Sequence, residues 1–315
     1  MSKIARLLMP GGRLARHQTL LFHRVLPQLD PMSPSEVDQT WFDGLLAELN
    51  RHFEIIPLGD AVELAAQKAL PAASLSITFD DGYADNFLHA LPVLEKHRAH
   101  ATFFIATGYL DGGRMWNDTL IETCRTLPSG EHQLPPPWNE KVQINGHQDR
   151  LQLARRLIGF CKYLPAAERQ VHVDTLAALA TKPLPDDLML NTDQLRQLGA
   201  SHFAELGAHT HSHPILANCD QQQARVEIQQ SIDRLEQLTG QRPRLFAYPN
   251  GKLGQDFALA QTGLVEQCGL RAAVSTDWGV LNAKTDLSMI PRFTPWRRSY
   301  GRFAIDLLRA RYGWY

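Results

Sequence analysis

The feature that most constrains this chain is an apolar run that ends in two adjacent carboxylates. Residues 75–79 (Leu-Ser-Ile-Thr-Phe) run directly into Asp80 and Asp81, and Gly82 follows. Such a run predicts a buried parallel strand whose carboxyl end opens into a loop, where active sites of α/β proteins lie. Adjacent carboxylates repel each other, so a metal held by one would offset the charge and leave the other free as a base. On this stretch alone, a turn in which one Asp only caps the next helix is as strongly favoured as a metal site.

A second stretch carries three histidines at alternating positions, His209, His211 and His213, after an apolar run at residues 203–208. If the chain turns helical after His209, then His209 and His213 stand at i and i+4 and face the same way. His211 then points away from them, as a supporting or surface group. Two imidazoles and one carboxylate are a common ligand set for catalytic zinc, with one position left for water.

Together the two stretches resemble a known family. The Thr-Phe-Asp-Asp-Gly motif at 78–82 and the His-Thr-x-x-His-Pro motif at 209–214 are similar to those of the polysaccharide deacetylases, the family 4 carbohydrate esterases with the nodulation-type deacetylase domain. The resemblance covers residues 18–294, most of the chain. It implies a distorted (β/α) barrel with fewer than eight complete units, and an enzyme that removes N-acetyl or sometimes O-acetyl groups from amino-sugar polymers.

The resemblance also implies roles for the motif residues. Asp81, His209 and His213 would hold a divalent metal, and Asp80 would be the general base. Zinc lowers the pKa of a bound water to about 7, which suits hydrolysis near neutral pH. We expect Zn²⁺, and the same nitrogen and oxygen ligands leave Co²⁺ and Ni²⁺ open.

The chain departs from the family pattern near its C-terminus. The usual Leu-x-x-His motif, which supplies the general acid, is absent, because Met-Ile-Pro-Arg stands at 289–292 and no histidine follows His213. An acid is still required, since an amide anion is too basic to leave. The replacement that we predict is His23, at the end of an early strand, as in the exopolysaccharide-type branch with an upstream histidine. The alternative is a structural role for His23.

A second departure lies in the third motif. The usual Phe-Arg-Pro-Pro-Tyr-Gly is here Phe-Ala-Tyr-Pro-Asn-Gly at 246–251, so Ala247 replaces the arginine that normally orients the base. Arg292 is the candidate substitute, because an arginine paired with Asp80 would fix its rotamer and lower its pKa. A surface position for Arg292 is equally favoured.

The resemblance implies three substrate-binding positions. The loop of Tyr248 and Asn250 would supply a backbone N–H for the oxyanion, and loss of one such donor typically raises a barrier by about 3 kcal/mol. Asp277-Trp278 resembles the fourth motif, in which Trp278 would line the pocket for the acetyl methyl group. Core packing is the alternative for Trp278.

The rest of the chain predicts one domain, 1–315, in which strands alternate with helices and are therefore parallel. Helices are predicted from Thr192 to Leu198 with Thr192 as the cap, across 221–238 with Gly240 closing the helix, and across 257–268. Residues 289–293 predict the last strand of the barrel.

Residues 108–190 break this rhythm and predict a mainly helical insertion, with helical stretches at 118–127 and 148–180. Its aromatic residues could stack on sugars, but we favour packing in the insertion's own core for Trp116, Trp138 and Tyr163. A basic helix at 299–312 ends the chain. Packing of this helix on the barrel is favoured over peripheral contact with an anionic membrane.

Composition excludes several classes of protein. A formal net charge of −1 gives no overall attraction to nucleic acid. The four cysteines are far apart in the sequence, which favours reduced thiols. Residues 1–16 lack an apolar stretch long enough for a signal peptide or a membrane span, so the sequence predicts a cytoplasmic protein.

The sequence therefore predicts a metal-dependent hydrolase that acts on an N-acetylated amino-sugar carbohydrate. An O-acetyl esterase and a cyclic amide hydrolase on the same scaffold remain alternatives. A non-catalytic sugar-binding relative is a third, but it would not need both a base and a metal triad.

Overall fold

A curled sheet of parallel strands forms the centre of the computed structural model, which describes residues 9–295 and 299–312. The strand order in this sheet is β1-β5-β6-β9-β10-β11, and β4 pairs with the start of β5. Two small sheets, β2-β3 and β7-β8, lie apart from it. The strands of the described residues are β1 (Gln18–Phe22), β2 (Val25–Leu26), β3 (Val37–Asp38), β4 (Glu54–Ile55), β5 (Ser74–Phe79), β6 (Ala101–Ile105), β7 (Gly130–Gln133), β8 (Lys141–Ile144), β9 (Ala204–Ala208), β10 (Leu245–Ala247) and β11 (Ala272–Val274).

Helices cover the outer face of this sheet. Every residue of β1, β5 and β6 is buried, which explains why these strands read as continuous runs rather than alternating patterns. The helices of the described residues are α1 (Gln39–His52), α2 (Leu58–Ala66), α3 (Leu91–His97), α4 (Trp116–Thr126), α5 (His147–Cys161), α6 (Ala166–Ala177), α7 (Thr192–Ala200), α8 (Gln221–Thr239), α9 (Gly263–Gln267) and α10 (Tyr300–Tyr312).

The segment after β11 joins the two edges of the sheet. Ile290 forms a parallel bridge with Val274 of β11, and Phe293 forms one with Leu20 of β1. The predicted strand at 289–293 is therefore reduced to isolated bridges, because Pro291 has no N–H to donate to a ladder. The α/β fold and the distorted barrel are confirmed.

The insertion consists of α4, α5, α6 and the antiparallel hairpin β7-β8. Its mainly helical character is confirmed, although the hairpin was not predicted, and the helix expected across 148–180 breaks before Pro165. Trp138 packs against the ring of Phe160, with 4.9 Å between centroids, and against His172. Trp116 and Trp138 both contact the insertion's own apolar cluster, as expected. Tyr163 is 46% exposed and is not part of this cluster, so the prediction was wrong for Tyr163.

Two local predictions were wrong. The cap of α7 is Asn191 rather than Thr192, in a capping box with Gln194. The helix expected across 257–268 is a short 3-10 turn followed by α9. In contrast, Gly240 ends α8 in the left-handed conformation, with φ of 72°.

The C-terminal helix α10 packs on the barrel. Phe303 and Leu307 are buried in the main core, and the side-chain amide of Gln18 donates to the backbone oxygen of Leu307 over 2.6 Å. The barrel thus covers Phe303 and Leu307 of this basic helix, whereas Ile305 and Leu308 are exposed. All four cysteines are free thiols. Among the described residues, no helix is long and apolar enough to cross a membrane. Four basic residues near the two ends of the sequence lie outside the described ranges: Lys3, Arg6, Arg297 and Arg298.

Candidate active site

A sharp turn follows β5 and separates the two carboxylates. Asp81 and Gly82 both have left-handed backbone conformations, with φ of 78° and 88°. A Cβ on Gly82 would lie 3.1 Å from Cγ2 of Ile105, so only glycine fits here without strain. Both carboxylates are buried, but Asp80 faces an arginine and Asp81 faces two histidines.

The carboxylate of Asp81 meets His209 and His213. Its Oδ1 lies 3.3 Å from Nε2 of each ring. Tetrahedral ligands bound to zinc at about 2.0–2.1 Å lie roughly 3.3–3.4 Å from one another, so these contacts fit a shared ion. Among the described residues, these three form the group of acidic and imidazole side chains that could hold a metal.

A loop, rather than the expected helix, places the two histidines. Thr210 and His213 have positive φ values of 62° and 53°. The carboxylate of Glu227 on α8 accepts hydrogen bonds from the backbone N–H groups of His211 and Ser212 at 3.0 and 2.8 Å. These hydrogen bonds fix the conformation of the loop, a role that the sequence predicted for the hydrogen bonds of a helix. The His211 side chain contacts Thr107, and it is not one of the three candidate ligands.

A hydrogen bond from Nδ1 fixes the orientation of the His209 ring. Its Nδ1 lies 2.7 Å from the backbone oxygen of Ala247, which can only accept a hydrogen bond, so Nδ1 carries the proton. Nε2 is then left with its lone pair toward Asp81. A second ring nitrogen donating to a carbonyl is the usual support of a metal-ligating histidine. The donor set and its support therefore fit a divalent metal.

Arg292 forms a bidentate ion pair with Asp80. Its Nη1 and Nη2 each donate to one carboxylate oxygen at 2.7 Å, and its Nε donates to the backbone oxygen of Ser275 at 2.9 Å. Arg292 is only 1% exposed, so the surface alternative does not hold. Burial raises the pKa of Asp80, but the charge of Arg292 and the hydrogen bonds that it donates act in the opposite direction, and that pKa lies below its ordinary value.

One cavity of about 290 Å³ is lined by Asp80, Asp81, His209, His213 and the half-buried His23. The cavity continues into one neighbour of about 460 Å³ and into another of about 200 Å³. The first pair shares the lining residues His23, Glu36, Asn250 and Thr276, and the second pair shares Arg24, Glu36, Tyr83, Asn117 and Ile158. These three connected cavities form a groove that contains the site.

Comparison with known proteins agrees with this geometry. A sequence profile of the polysaccharide deacetylases matches residues 67–153 and 164–272, well over half of the chain. The chain belongs to the polysaccharide deacetylase family. It is thus a hydrolase of carbohydrate acetyl groups, as its sequence motifs indicate. No curated protein sequence matches it significantly.

Solved structures show the same fold as this deacetylase at low sequence identity. IcaB from Ammonifex degensii is 17% identical with a TM-score of 0.62, covering 96% of this chain and 98% of its own. The Streptococcus pyogenes deacetylase PplD, in complex with acetate, is 16% identical with a TM-score of 0.59, covering 89% and 92%. The BpsB deacetylase domain from Bordetella bronchiseptica is 15% identical with a TM-score of 0.54, covering 88% and 95%.

The three predicted substrate-binding residues of the deacetylase lie in different places. Asn250 lines the metal-site cavity. Trp278 is 43% exposed and lines the neighbouring cavity of about 460 Å³ rather than the metal-site cavity. The ring of Tyr248 is fully buried and stacks on Phe257 at 3.8 Å, so its side chain does not line the groove.

The sequence did not single out several residues that line the groove. The guanidinium of Arg24 lies 2.7 Å from Asp85 and over the ring of Tyr83, and the backbone N–H of Arg24 donates to Glu36. The insertion adds Trp116 and other side chains to the lining of the metal-site cavity, among them Met115, Asn117, Ile158 and Lys162. Only Trp116 carried a sequence signal, as an aromatic residue in the insertion.

One buried carboxyl of the insertion should make stability depend on pH. Burial raises the pKa of Asp118 from 3.8 to about 7. Between these values the folded protein holds a proton that the unfolded chain has lost. The stability from this group is therefore fully present below about pH 4 and is lost as pH rises through 7. We expect Asp118→Asn to remove this loss, so that its free energy of unfolding relative to wild type is higher at pH 8 than at pH 5.

Denaturant unfolding of both proteins at the two pH values measures this difference. The amide keeps an acceptor for the hydroxyl of Tyr83, which lies 3.0 Å from Asp118. Asp174→Asn, an exposed position on α6, is the matched control and should show no such difference. If the difference in the free energy of unfolding between Asp118→Asn and wild type were the same at both pH values, the raised pKa of Asp118 would be refuted.

Proposed function

We propose that the protein removes N-acetyl groups from an amino-sugar poly- or oligosaccharide. The observation that carries this proposal is the division of labour between adjacent carboxylates. Asp81 contacts two histidines, while Asp80 is held by Arg292 within the same cavity. A sugar-binding protein would gain nothing from a buried base beside a set of metal ligands.

Asp81, His209 and His213 would hold the metal, for which we propose Zn²⁺ first and Co²⁺ or Ni²⁺ next. When bound, such an ion lowers the pKa of a water molecule and polarises the acetyl carbonyl. Asp80 acts as the general base that accepts the proton of the attacking water. Arg292 keeps Asp80 ionised at neutral pH and fixes both of its oxygens.

The backbone N–H of Asn250 is the proposed donor to the oxyanion. In the same loop, the N–H of Tyr248 already donates to Val274, the N–H of Gly251 donates to Pro249, and proline has none. Within the described residues the N–H of Asn250 has no acceptor, and Asn250 lines the cavity. One such donor typically lowers the barrier by about 3 kcal/mol.

The groove supports a chain of sugars as the substrate. It extends beyond the metal-site cavity into two neighbouring cavities, and the exposed Trp278 lines the larger of these two. Aromatic faces with a partly apolar surface suit stacking on a sugar ring. Trp278 is therefore proposed to hold a neighbouring sugar unit rather than the acetyl methyl group.

His23 is proposed as the general acid that protonates the leaving amine. We expect His23→Gln to reduce acetate release from N-acetylated oligosaccharides by roughly 10²–10³-fold, since a positioned acid contributes about that much. Hydrolysis of O-acetyl esters should fall less, because an alkoxide leaves with less help than an amide anion. Acetate release measured on both substrates, together with metal content, tests this prediction. The control is His202→Gln at an exposed position; a His23→Gln enzyme with full amide activity and intact metal would remove His23 from the mechanism.

The same pair of substrates tests the proposed function itself. Wild-type enzyme should release acetate from N-acetylated chitooligosaccharides and generate one free amine for each acetate. Faster release from O-acetylated sugars, with no free amine from the N-acetylated ones, would instead make the protein an O-acetyl esterase.

A further inference from the structure

A separate cavity of about 440 Å³ lies between the insertion and the loop of His213. One side is formed by residues 164–169, and the other by residues 212–227. Its polar lining consists of Arg169, Ser212, Asn218, Gln223 and Glu227. The cavity adjoins the active site, because Lys162 and His213, each within two residues of this lining, line the metal-site cavity.

Arg169 is the unusual member of this lining. It is 8% exposed, and its guanidinium carbon lies 5.0 Å from the centre of the Trp116 ring. Within residues 9–295 and 299–312, its guanidinium has neither an ion pair nor a side-chain hydrogen bond. Burial lowers the pKa of Arg169, which reflects the cost of holding this charge away from water. A buried cation is unfavourable unless an anion or several acceptors compensate it.

The carboxylate on the opposite side does not compensate this charge. Glu227 is committed to the metal-site loop, where it accepts from the backbone N–H groups of His211 and Ser212 and from the hydroxyl of Ser212 at 2.6 Å. Gln223 belongs to the first turn of α8, a 19-residue helix whose N-terminal end carries partial positive charge. Asp220 caps this turn by accepting from the N–H of Gln223 at 2.8 Å and does not line the cavity.

We propose that this cavity binds an oxyanion group, a carboxylate or a phosphate. Arg169 donates to it through the planar, two-pronged geometry that guanidinium offers to such groups. The amides of Asn218 and Gln223 are the neighbouring donors. The anion is an acidic substituent of a glycan that crosses the active site, an assignment that rests on the proposed function, or it is a free small anion.

Binding is tested with inorganic phosphate and with glucuronate, each titrated into the metal-loaded enzyme at constant ionic strength. Calorimetry should show saturable binding, and the thermal midpoint should rise with concentration. Arg169→Met should weaken binding about tenfold or more, the loss expected for a charge-assisted hydrogen bond. Arg225→Met, an exposed position on α8, should bind as wild type does. Without anion, Arg169→Met should be at least as stable as wild type, because an uncompensated buried charge is gone.

The proposal is overturned if wild type binds neither anion, or if Arg169→Met binds both as wild type does. Arg169→Lys, which keeps the positive charge but not the planar, two-pronged guanidinium, should bind both anions with intermediate affinity. That ordering separates an anion site from a role in packing against Trp116.

The source of the anion is tested with N-acetylated oligosaccharides that do or do not contain glucuronate. If the glycan carries it, wild type should prefer the acidic substrate, and Arg169→Met should lose this preference while hydrolysing the neutral one normally. If Arg169→Met leaves both rates unchanged but has lost phosphate binding, the glycan assignment is overturned and a free anion is the ligand. No acetate release by wild type from either substrate would refute the proposed function and leave the binding result standing.

Discussion

Asp80→Asn should lower the rate of acetate release by about 10³–10⁴-fold while the protein keeps its metal. The asparagine is isosteric and still accepts one hydrogen bond from Arg292, but it cannot take a proton from water. Arg292 also keeps its hydrogen bonds to the backbone oxygen of Ser275 and the hydroxyl of Thr78. Steady-state acetate release and elemental analysis on the same samples measure both quantities.

Asp85→Asn is the matched control for this variant. Asp85 is also a buried carboxylate paired with an arginine, Arg24, at 2.7 Å, but it does not line the metal-site cavity. It should lose stability without a comparable loss of turnover. If Asp80→Asn retained more than a tenth of wild-type turnover, Asp80 would not be the base.

Arg292→Met should reduce both stability and turnover, because it leaves the buried carboxylate of Asp80 without its partner. Breaking a buried ion pair in this way typically costs about 3–5 kcal/mol. In wild type the pKa of Asp80 is held low, so the pair's contribution is present above the ordinary carboxyl pKa and is lost as pH falls below it. In the variant that pKa should rise, so the stability deficit should grow from acidic to neutral pH. The pH at which activity reaches half its maximum should also move upward.

Denaturant unfolding and pH–rate profiles of this variant test the orienting role of Arg292. Arg271→Met is the control, because its ion pair with Glu63 is exposed and should contribute little. A variant that lost stability but kept the wild-type pH profile would show that Arg292 supports the fold without tuning the base.

The sequence predicted the parallel α/β fold from the alternation of strands and helices, and the barrel and the three candidate metal ligands from its resemblance to the family. A buried apolar strand that ends in Asp80 and Asp81 must deliver them to the carboxyl edge of the sheet. The ion pair of Arg292 with Asp80 was one of two equally favoured predictions, because Ala247 stands where the family usually has the arginine. A buried carboxylate is unfavourable unless a cation or several hydrogen bonds compensate its charge.

Contacts between distant segments were harder to predict. His209 and His213 were expected on a helix, but Glu227, far along the chain, anchors their loop through two backbone N–H groups. Arg169 and the loop of Ser212 meet only because the insertion folds back over the barrel. The spacing of residues in a single sequence does not show that two such distant segments are in contact.

The most direct test of the account is the metal content of wild type and Asp81→Ala, with acetate release from chitooligosaccharides measured on the same samples. A three-ligand site predicts about one metal per wild-type chain, lost together with acetate release in Asp81→Ala. Bound metal with no acetate release would keep the site but require another substrate. Wild-type protein that binds no metal, even after zinc is added back, would contradict the assignment of this protein as a metal-dependent hydrolase.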